Sequence, residues 1–320
     1  MPENLKKELS RHTPRRPVLL TIGVFDGVHL GHRYLLDHLT ARASEKGCLS
    51  CVVTFKTHPE KVLGRRATLP WICTLQERVR LLKAAGVDVV VPVTFTREVA
   101  NLAARDFVLL LKQHLKMCDM VVGPDFALGK GRKGDPEYLR SIGEELDFRV
   151  EVVRPARLGS EVISSSAIRQ LLAEGEIKRV EQMLGRFFHL EGRVTLGDQR
   201  GRALGFPTAN LKVQPEQAMP RDGIYASITR YGENQWRSVT NIGIKPTFGG
   251  QKRAIETFIF DFNGDLYGRK IRVELAARLR DEMKFNGPGE LVAQLHRDVE
   301  KAKQVLEEIP KTKIQIPNKE

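Results

Sequence analysis

Two histidines three residues apart, His29 and His32, close the stretch Ile22-Gly-Val-Phe-Asp-Gly-Val-His-Leu-Gly-His32, in which an apolar run passes into glycines. Gly23 and Gly27 let backbone come close to a phosphate, and a helix starting near Gly31 turns free N–H groups and its positive dipole end toward an anion. Residues at i and i+3 share one face of a helical turn. Both imidazoles can therefore reach one polyphosphate and stabilise charge building on a phosphorus under attack. Taken alone, the same pair also fits a helix cap or a metal site.

A second pattern lies at Gly201-Arg-Ala-Leu-Gly-Phe-Pro-Thr-Ala-Asn-Leu211. Thr208 and Asn210 are two residues apart, hence on one side of an extended chain, and both present neutral oxygens suited to a hard cation such as Mg²⁺. A turn closed by local side-chain bonds fits the spacing as well. Ser164, Ser165 and Ser166 supply hydroxyl and amide donors where another helix begins, which is a sound phosphate site in its own right. Gly129-Lys-Gly-Arg-Lys-Gly134 satisfies G-x-G-x-x-G but does not sit directly between a strand and a helix, so no dinucleotide fingerprint is assigned. Its basic residues suit a mobile loop over phosphates, or a plain solvated turn. No G-x-x-x-x-G-K-[ST] occurs near it, so a P-loop kinase is not supported. Cys48 and Cys51 form a lone C-x-x-C without a second pair and read as buried free thiols, as do Cys73 and Cys118.

The elements that must position these residues follow from periodicity. Apolar runs at 17–25, 49–55, 87–93, 118–123 and 148–153 alternate with helical patterns at 31–46, 75–85, 104–116 and 136–146, which predicts βαβ units and a parallel sheet covered on both faces. Ligands of such sheets sit at the carboxyl ends of the strands, where strand order reverses. After Gly185 the texture changes to short alternating stretches at 190–196, 223–230, 237–243, 255–262 and 269–276, punctuated by Gly and Asn turns. These predict an antiparallel β-barrel, closed by a C-terminal helix over about 288–307 and a loose tail at 311–320. The expected domains are 1–184, of α/β class, and 185–320, a small barrel.

With 320 residues, two domains are the better expectation. Hydrophobic residues at 41% and charged residues at 28% exclude a disordered chain, and the absence of a long apolar run or leader-like start points to a cytoplasmic protein with no membrane partner. The net charge of +13 admits any anion. The basic residues are scattered, apart from short clusters such as Arg15-Arg16 and Arg65-Arg66, and aromatics reach only 7%, so a stacking platform for nucleic acid is not expected. Nothing in the pattern sets an oligomeric state.

The glycine-rich approach, the H-x-G-H and Ile163-Ser-Ser-Ser-Ala-Ile-Arg169 together resemble the nucleotidyltransferases that transfer AMP or CMP. More narrowly, roughly residues 17–308 resemble the bifunctional bacterial riboflavin kinase/FAD synthetases, through those motifs and through Pro207-Thr-Ala-Asn210, Asn241-Ile-Gly-Ile-Lys-Pro-Thr247, Glu256-Thr257 and the segment Arg280 to Phe285. The resemblance implies phosphorylation of riboflavin to FMN in the second domain and adenylylation of FMN to FAD, with release of pyrophosphate, in the first. It makes ATP, riboflavin, FMN and FAD the small-molecule substrates and products, and Mg²⁺ the cofactor. His29 and His32 would bind the ATP phosphates, while Phe25, Asp26 and Gly27, with Gly23 and Asp125, would shape the nucleotide pocket. Arg169 would neutralise departing pyrophosphate beside Ser164 to Ser166, Thr208 and Asn210 would hold Mg·ATP, and Glu256 would take the proton of the riboflavin 5′-hydroxyl. The chain departs from the family at Ser166, usually Thr, at Leu128, usually aromatic, and at Phe187-Phe188, usually Pro-Tyr, the last read as a packing change. Two other functions remain compatible with the residues: a nucleotidyltransferase for another phosphorylated acceptor, and a non-catalytic, flavin-responsive nucleic-acid-binding homologue.

Overall fold

The computed structural model describes residues 2–64, 69–197, 201, 204–247 and 250–309, with the side chains of 245–247 and 250–252 outside that description. The Arg65-Arg66 cluster and the tail at 311–320 lie outside the described residues. The chain divides into two compact units, Met1–Ser165 and Ser166–Glu320.

In the first unit β1 (Val18–Gly23), β2 (Leu49–Phe55), β3 (Val89–Val93), β4 (Met117–Val122) and β5 (Val150–Val152) form one sheet in the order β3-β2-β1-β4-β5. Every neighbouring pair is parallel. The helices are α1 (Glu3–Ser10), α2 (Leu30–Glu45), α3 (Pro59–Val62), α4 (Leu75–Ala84), α5 (Arg97–Ala100), α6 (Ala104–Leu115) and α7 (Pro136–Leu146). The unbroken apolar runs of β1 and β2 arise because alternate residues enter two different cores. Val18, Leu20, Cys51 and Val53 pack with α1, α6 and α7, whereas Leu19 and Val52 pack with Leu36 and Leu39 of α2 and Leu81 and Leu82 of α4. Strand order reverses between β1 and β4, so the chain leaving these two strands borders the crevice where a ligand of such a sheet binds. A short hairpin of β6 (Arg157–Leu158) and β7 (Glu161–Val162) follows β5.

The second unit contains nearly all of α8 (Ser165–Glu174), then α9 (Ile177–Leu184), six strands and α10 (Pro288–Glu307). The strands are β8 (Phe188–Thr195), β9 (Thr208–Val213), β10 (Gly223–Tyr231), β11 (Asn234–Thr247), β12 (Gly250–Ile259) and β13 (Lys270–Arg280). They close an antiparallel barrel in the order β10-β11-β12-β9-β8-β13. Ala226, Ile228, Val239 and Phe260 lie on the outer face under Ala302 and Leu306 of α10. The alternate residues Ser227, Thr229, Ser238, Thr240 and Thr257 face the barrel axis, fully buried, and satisfy one another in a chain of hydroxyl bonds of 2.7–3.0 Å. Arg280 binds both carboxylate oxygens of the buried Asp298, at 2.8 and 2.6 Å, and so fastens α10 to the end of β13. Phe187 and Phe188 are both buried, in keeping with a packing change at that position.

Several features depart from the sequence expectation. Helix α1 forms in the polar N-terminal segment because Leu5 and Leu9, one turn apart, are buried against the α6 side of the sheet. Helix α9 buries Ile177, Val180, Met183 and Leu184 and packs on β8 and β13. All four cysteines are free, but only Cys51 and Cys73 are buried. Cys48 is half-buried with its Sγ 3.4 Å from that of Cys118, whose thiol is pushed up to about 12 by burial and by its bond to Cys48. The basic segment at 130–133 is not a free loop. Its backbone is pinned by a Leu128–Gly134 bridge, by Lys130 N–H donating to Leu102 O at 2.7 Å, and by Gly129 and Gly134 lying on Ala104.

Candidate active sites

In the first unit the chain leaves β1 at Gly23 and turns through three residues with positive φ, Phe25 at 50°, Gly27 at 80° and Val28 at 39°. Phe and Val in this region cost about 1–3 kcal/mol each, so surrounding bonds must impose the conformation. Gly23 is required because the Phe25 ring lies over it, where a Cβ would come to 2.9 Å. His29 then caps α2. Its Nδ1 accepts from His32 N–H at 3.2 Å, and an accepting Nδ1 carries no proton, which leaves the ring proton on Nε2 as a donor. The two imidazoles stack, 3.6 Å between centroids, and Phe25 meets His32 at 5.0 Å. The cap and phosphate readings of the sequence are therefore compatible in one residue, with one nitrogen for each task.

Asp26 is buried and turned inward. Both its carboxylate oxygens accept from Ile72 N–H at 3.0 Å, one accepts from Cys73 N–H at 3.3 Å, and its carbonyl accepts from Ser165 Oγ at 2.9 Å. Arg78 of α4, 1% exposed, lies next to this turn. Its Nη1 donates to Val24 O and to Phe55 O at 2.8 Å each, and its guanidinium lies 4.2 Å from the centre of the Trp71 ring. Burial pushes the Arg78 guanidinium down, while Cys73 and Asp26 act in the opposite direction. The segment ending at Ser165 closes on the start of α2, where a Cβ on Gly31 would come within 2.9 Å of Ile163 O. Ser166, exposed, and Arg169, half-buried, belong to α8 of the second unit. Beyond β4, Asp125 is exposed and its carbonyl accepts from Arg132 at 2.9 Å, whereas Leu128 belongs to the core.

In the second unit the register of three strands builds a row. Asn241 of β11 faces Glu256 of β12, and Glu256 faces Asn210 of β9. Directly paired residues of an antiparallel sheet share a face, so a carboxylate stands between two carboxamides. Thr208, opposite Phe258 and two residues from Asn210, is on that face too. Phe206 fixes the approach to β9 by packing edge-on against Phe258 at 5.2 Å and His296 of α10 at 5.0 Å. Gly197 leaves room for the Asn210 carboxamide, with which a Cβ would collide. The Glu282 carboxylate lies over Gly243, where it accepts from Ile244 N–H; burial, together with the nearby Asp222, raises its pKa above the ordinary range. No cluster of three or more His, Cys, Asp or Glu residues suited to a metal occurs among the described residues. The neutral oxygens of Thr208 and Asn210 beside the Glu256 carboxylate nevertheless fit a hard, oxygen-seeking ion that takes its remaining ligands from phosphates and water.

A family model described as FAD synthetase matches residues 11–167, and one described as riboflavin kinase matches 184–306. The bifunctional riboflavin kinase/FMN adenylyltransferase of Escherichia coli strain K12 is 38% identical over 287 residues, covering 89% of this chain and 91% of its own. The chain belongs to this family. The family's Bacillus subtilis enzyme is 34% identical over 290 residues, covering 89% of this chain and 91% of its own. A solved structure described as a macrolide-efflux protein from Streptococcus pneumoniae is similar to this chain throughout both units. Its TM-score is 0.85 at 31% identity, over 95% of this chain and 98% of that one. Among the described residues, no helix of this chain is long and apolar enough to cross a membrane. The N-terminal domain adenylylates FMN to FAD and the C-terminal domain phosphorylates riboflavin to FMN, with ATP as the donor in both.

Arg78 and Asn241 were not singled out for chemistry by sequence reasoning. Arg78 leaves a signal, a charged residue at helical spacing within the stripe Leu75, Arg78, Leu81 and Leu82. Asn241 opens a motif used above only for its resemblance, and strand register alone places it beside Glu256.

Proposed function

We propose that adenylyl transfer is carried by His29 and His32 with Arg169 and Ser164 to Ser166, and phosphoryl transfer by Glu256 with Thr208 and Asn210. The observation that carries this reading is the row Asn210–Glu256–Asn241, in which strand register alone sets a carboxylate between polar oxygens on one barrel face. In the kinase site Glu256 takes the proton of the riboflavin 5′-hydroxyl as the oxygen attacks the terminal phosphorus of ATP. Thr208 and Asn210 hold Mg²⁺, which when bound neutralises phosphate charge. In the adenylyltransferase site His29 donates through Nε2 to phosphate oxygens whose charge grows as the FMN phosphate attacks the α-phosphorus, and His32, on the same face of the turn, donates beside it. Arg169 pairs with pyrophosphate as it leaves. Gly23, Phe25, Asp26, Gly27 and Asp125 shape the nucleotide pocket, Asp26 by holding the turn from inside. We divide the chain into functional domains at 184/185, after α9. The four free cysteines support a cytoplasmic location, since such compartments keep thiols reduced, and the only partners in this reading are small molecules.

The test is a crossover of two single variants supplied with riboflavin, Mg²⁺ and ATP, with products separated by chromatography. His29→Ala accumulates FMN. Glu256→Gln leaves riboflavin untouched, slowed by about 10²–10⁴-fold as expected for loss of a general base, yet converts added FMN to FAD. The opposite pattern in folded protein assigns the sites to the wrong reactions.

A further inference from the structure

The turn that carries His29 is strained, and the bonds that impose the strain come from buried polar groups outside it. Arg78 Nη1 reaches Val24 O and Phe55 O at 2.8 Å and Thr54 Oγ1 at 3.3 Å, and Thr54 Oγ1 itself donates to Val24 O at 2.9 Å. One guanidinium thus ties the exits of β1 and β2 together just before Phe25. Two residues further on, the Asp26 carboxylate takes the N–H groups of Ile72 and Cys73. Both side chains are 1% exposed, and Arg78 Nε is buried without a hydrogen-bond partner among the described residues. Opposite charges buried at this depth are a poor source of net stability, because apolar replacements of similar volume are often neutral or better. What they supply is fixed geometry, since each has directional bonds to backbone on either side of the left-handed run at Phe25, Gly27 and Val28.

We propose that Arg78 and Asp26 are positioning residues for FMN adenylylation: between them they hold residues 24–28 in the left-handed turn and so aim the Nε2 donor of His29 and the ring of His32 at the phosphates of ATP. The inference rests on the assignment of His29 to phosphate binding made above. Both side chains are buried and bonded to backbone, so each acts through the chain it holds. Arg78 acts through the carbonyl of Val24, Asp26 through the segment at Ile72 and Cys73, and His29 is three residues downstream of Asp26 on the chain they fix.

A double-mutant cycle on the full-length enzyme tests this, with FAD formation from FMN as the readout, riboflavin phosphorylation by the same preparations as the control for enzyme amount, and thermal melting as the control for an intact first unit. Arg78→Met is expected to lower kcat by about 10- to 100-fold, the scale of a small misplacement of a reacting group, with KM for ATP and FMN little changed. Arg78→Lys, which keeps the charge and can still donate to the two carbonyls, recovers part of the loss. In a His29→Ala background, Arg78→Met adds almost nothing further, because the group it positions is already gone. Equal losses in both backgrounds, or unchanged kcat in Arg78→Met, overturn the proposal and leave the pair a structural fastening. If Arg78→Met does not fold, Asp26→Asn and Arg78→Lys are carried through the same cycle, with the same two outcomes deciding. Should His29→Ala alone leave FAD formation intact, the assignment of His29 fails first and separately, and the positioning role falls with it.

Discussion

The rings of His29 and His32 lie stacked 3.6 Å apart while the His32 backbone N–H donates to His29 Nδ1. The helix cap consumes one nitrogen of His29 and thereby fixes where its proton sits, so the tautomer that serves the fold is also the one that can donate to a phosphate. Capping and catalysis are carried by different atoms of one side chain and can be separated by substitution.

His29→Asn keeps an oxygen acceptor suited to an N-cap, whereas His29→Ala removes the cap, a loss of about 0.5–2 kcal/mol. Thermal melting is therefore expected to be near wild type for the Asn variant and lower for the Ala variant. FAD formation falls in both by two to three decades, the cost of about 2.7–4 kcal/mol seen when a donor to developing charge is lost. An Asn variant with near wild-type FAD formation limits His29 to the cap.

A methyl group at Gly197 is expected to damage the kinase. The Cβ of Gly197→Ala collides with the Asn210 carboxamide, and strand pairing keeps Asn210 from retreating with its backbone. Riboflavin phosphorylation should fall at least tenfold, with the Mg²⁺ concentration needed for half-maximal rate rising, while FAD formation from FMN is unaffected. Normal riboflavin phosphorylation would show that Asn210 is not needed in its observed position.

The sheet and barrel were legible because burial wrote itself into the pattern. Leu19 and Leu20 enter opposite cores, so β1 reads as an unbroken apolar run, while Ser227 and Ile228 face opposite sides of the barrel wall and read as alternation. Helix α1 was not legible, since two leucines give too short a period to detect. The direction of Asp26 was hidden for a different reason. An acid among glycines suggests a ligand, and only the long-range return of Ile72 and Cys73 turns it inward. Arg78 stood out only as a charge in an apolar helical stripe, and its role was hidden because its partners Val24, Thr54 and Phe55 are brought to it by the parallel pairing of β1 with β2.

The pinned basic turn at 130–133 gives a sharper expectation than a mobile loop would. Its backbone is held by Leu102 and Leu128, and its side chains are exposed. Neutralising Lys130, Arg132 and Lys133 together should therefore leave melting unchanged. It should raise KM for ATP in FAD formation several-fold at low salt, an effect fading as ionic strength shortens the screening length to about 8 Å and below. Unchanged KM at low salt marks the turn as solvated surface.

Glu8 offers a pH-dependent test of how α1 is tied to the sheet. Its carboxylate accepts from Lys56 Nζ at 2.8 Å and from Thr94 N–H and Oγ, both at 2.7 Å. Burial alone would raise its pKa, but the bonds from Lys56 and Thr94 outweigh burial and hold it below the usual carboxylate value. A carboxylate depressed in the folded state contributes stability that is fully present above the unfolded pKa, near about 4.3, and is lost as pH falls through the lower folded value. Glu8→Gln should therefore melt below wild type at pH 7, and the gap should narrow as the wild-type carboxyl is protonated at acid pH. Because Leu5 and Leu9 remain to bury α1, the variant is expected to stay folded, so the gap can be followed across the whole range. A gap that does not change between pH 7 and pH 3 would mean that ionisation of Glu8 contributes nothing to holding α1.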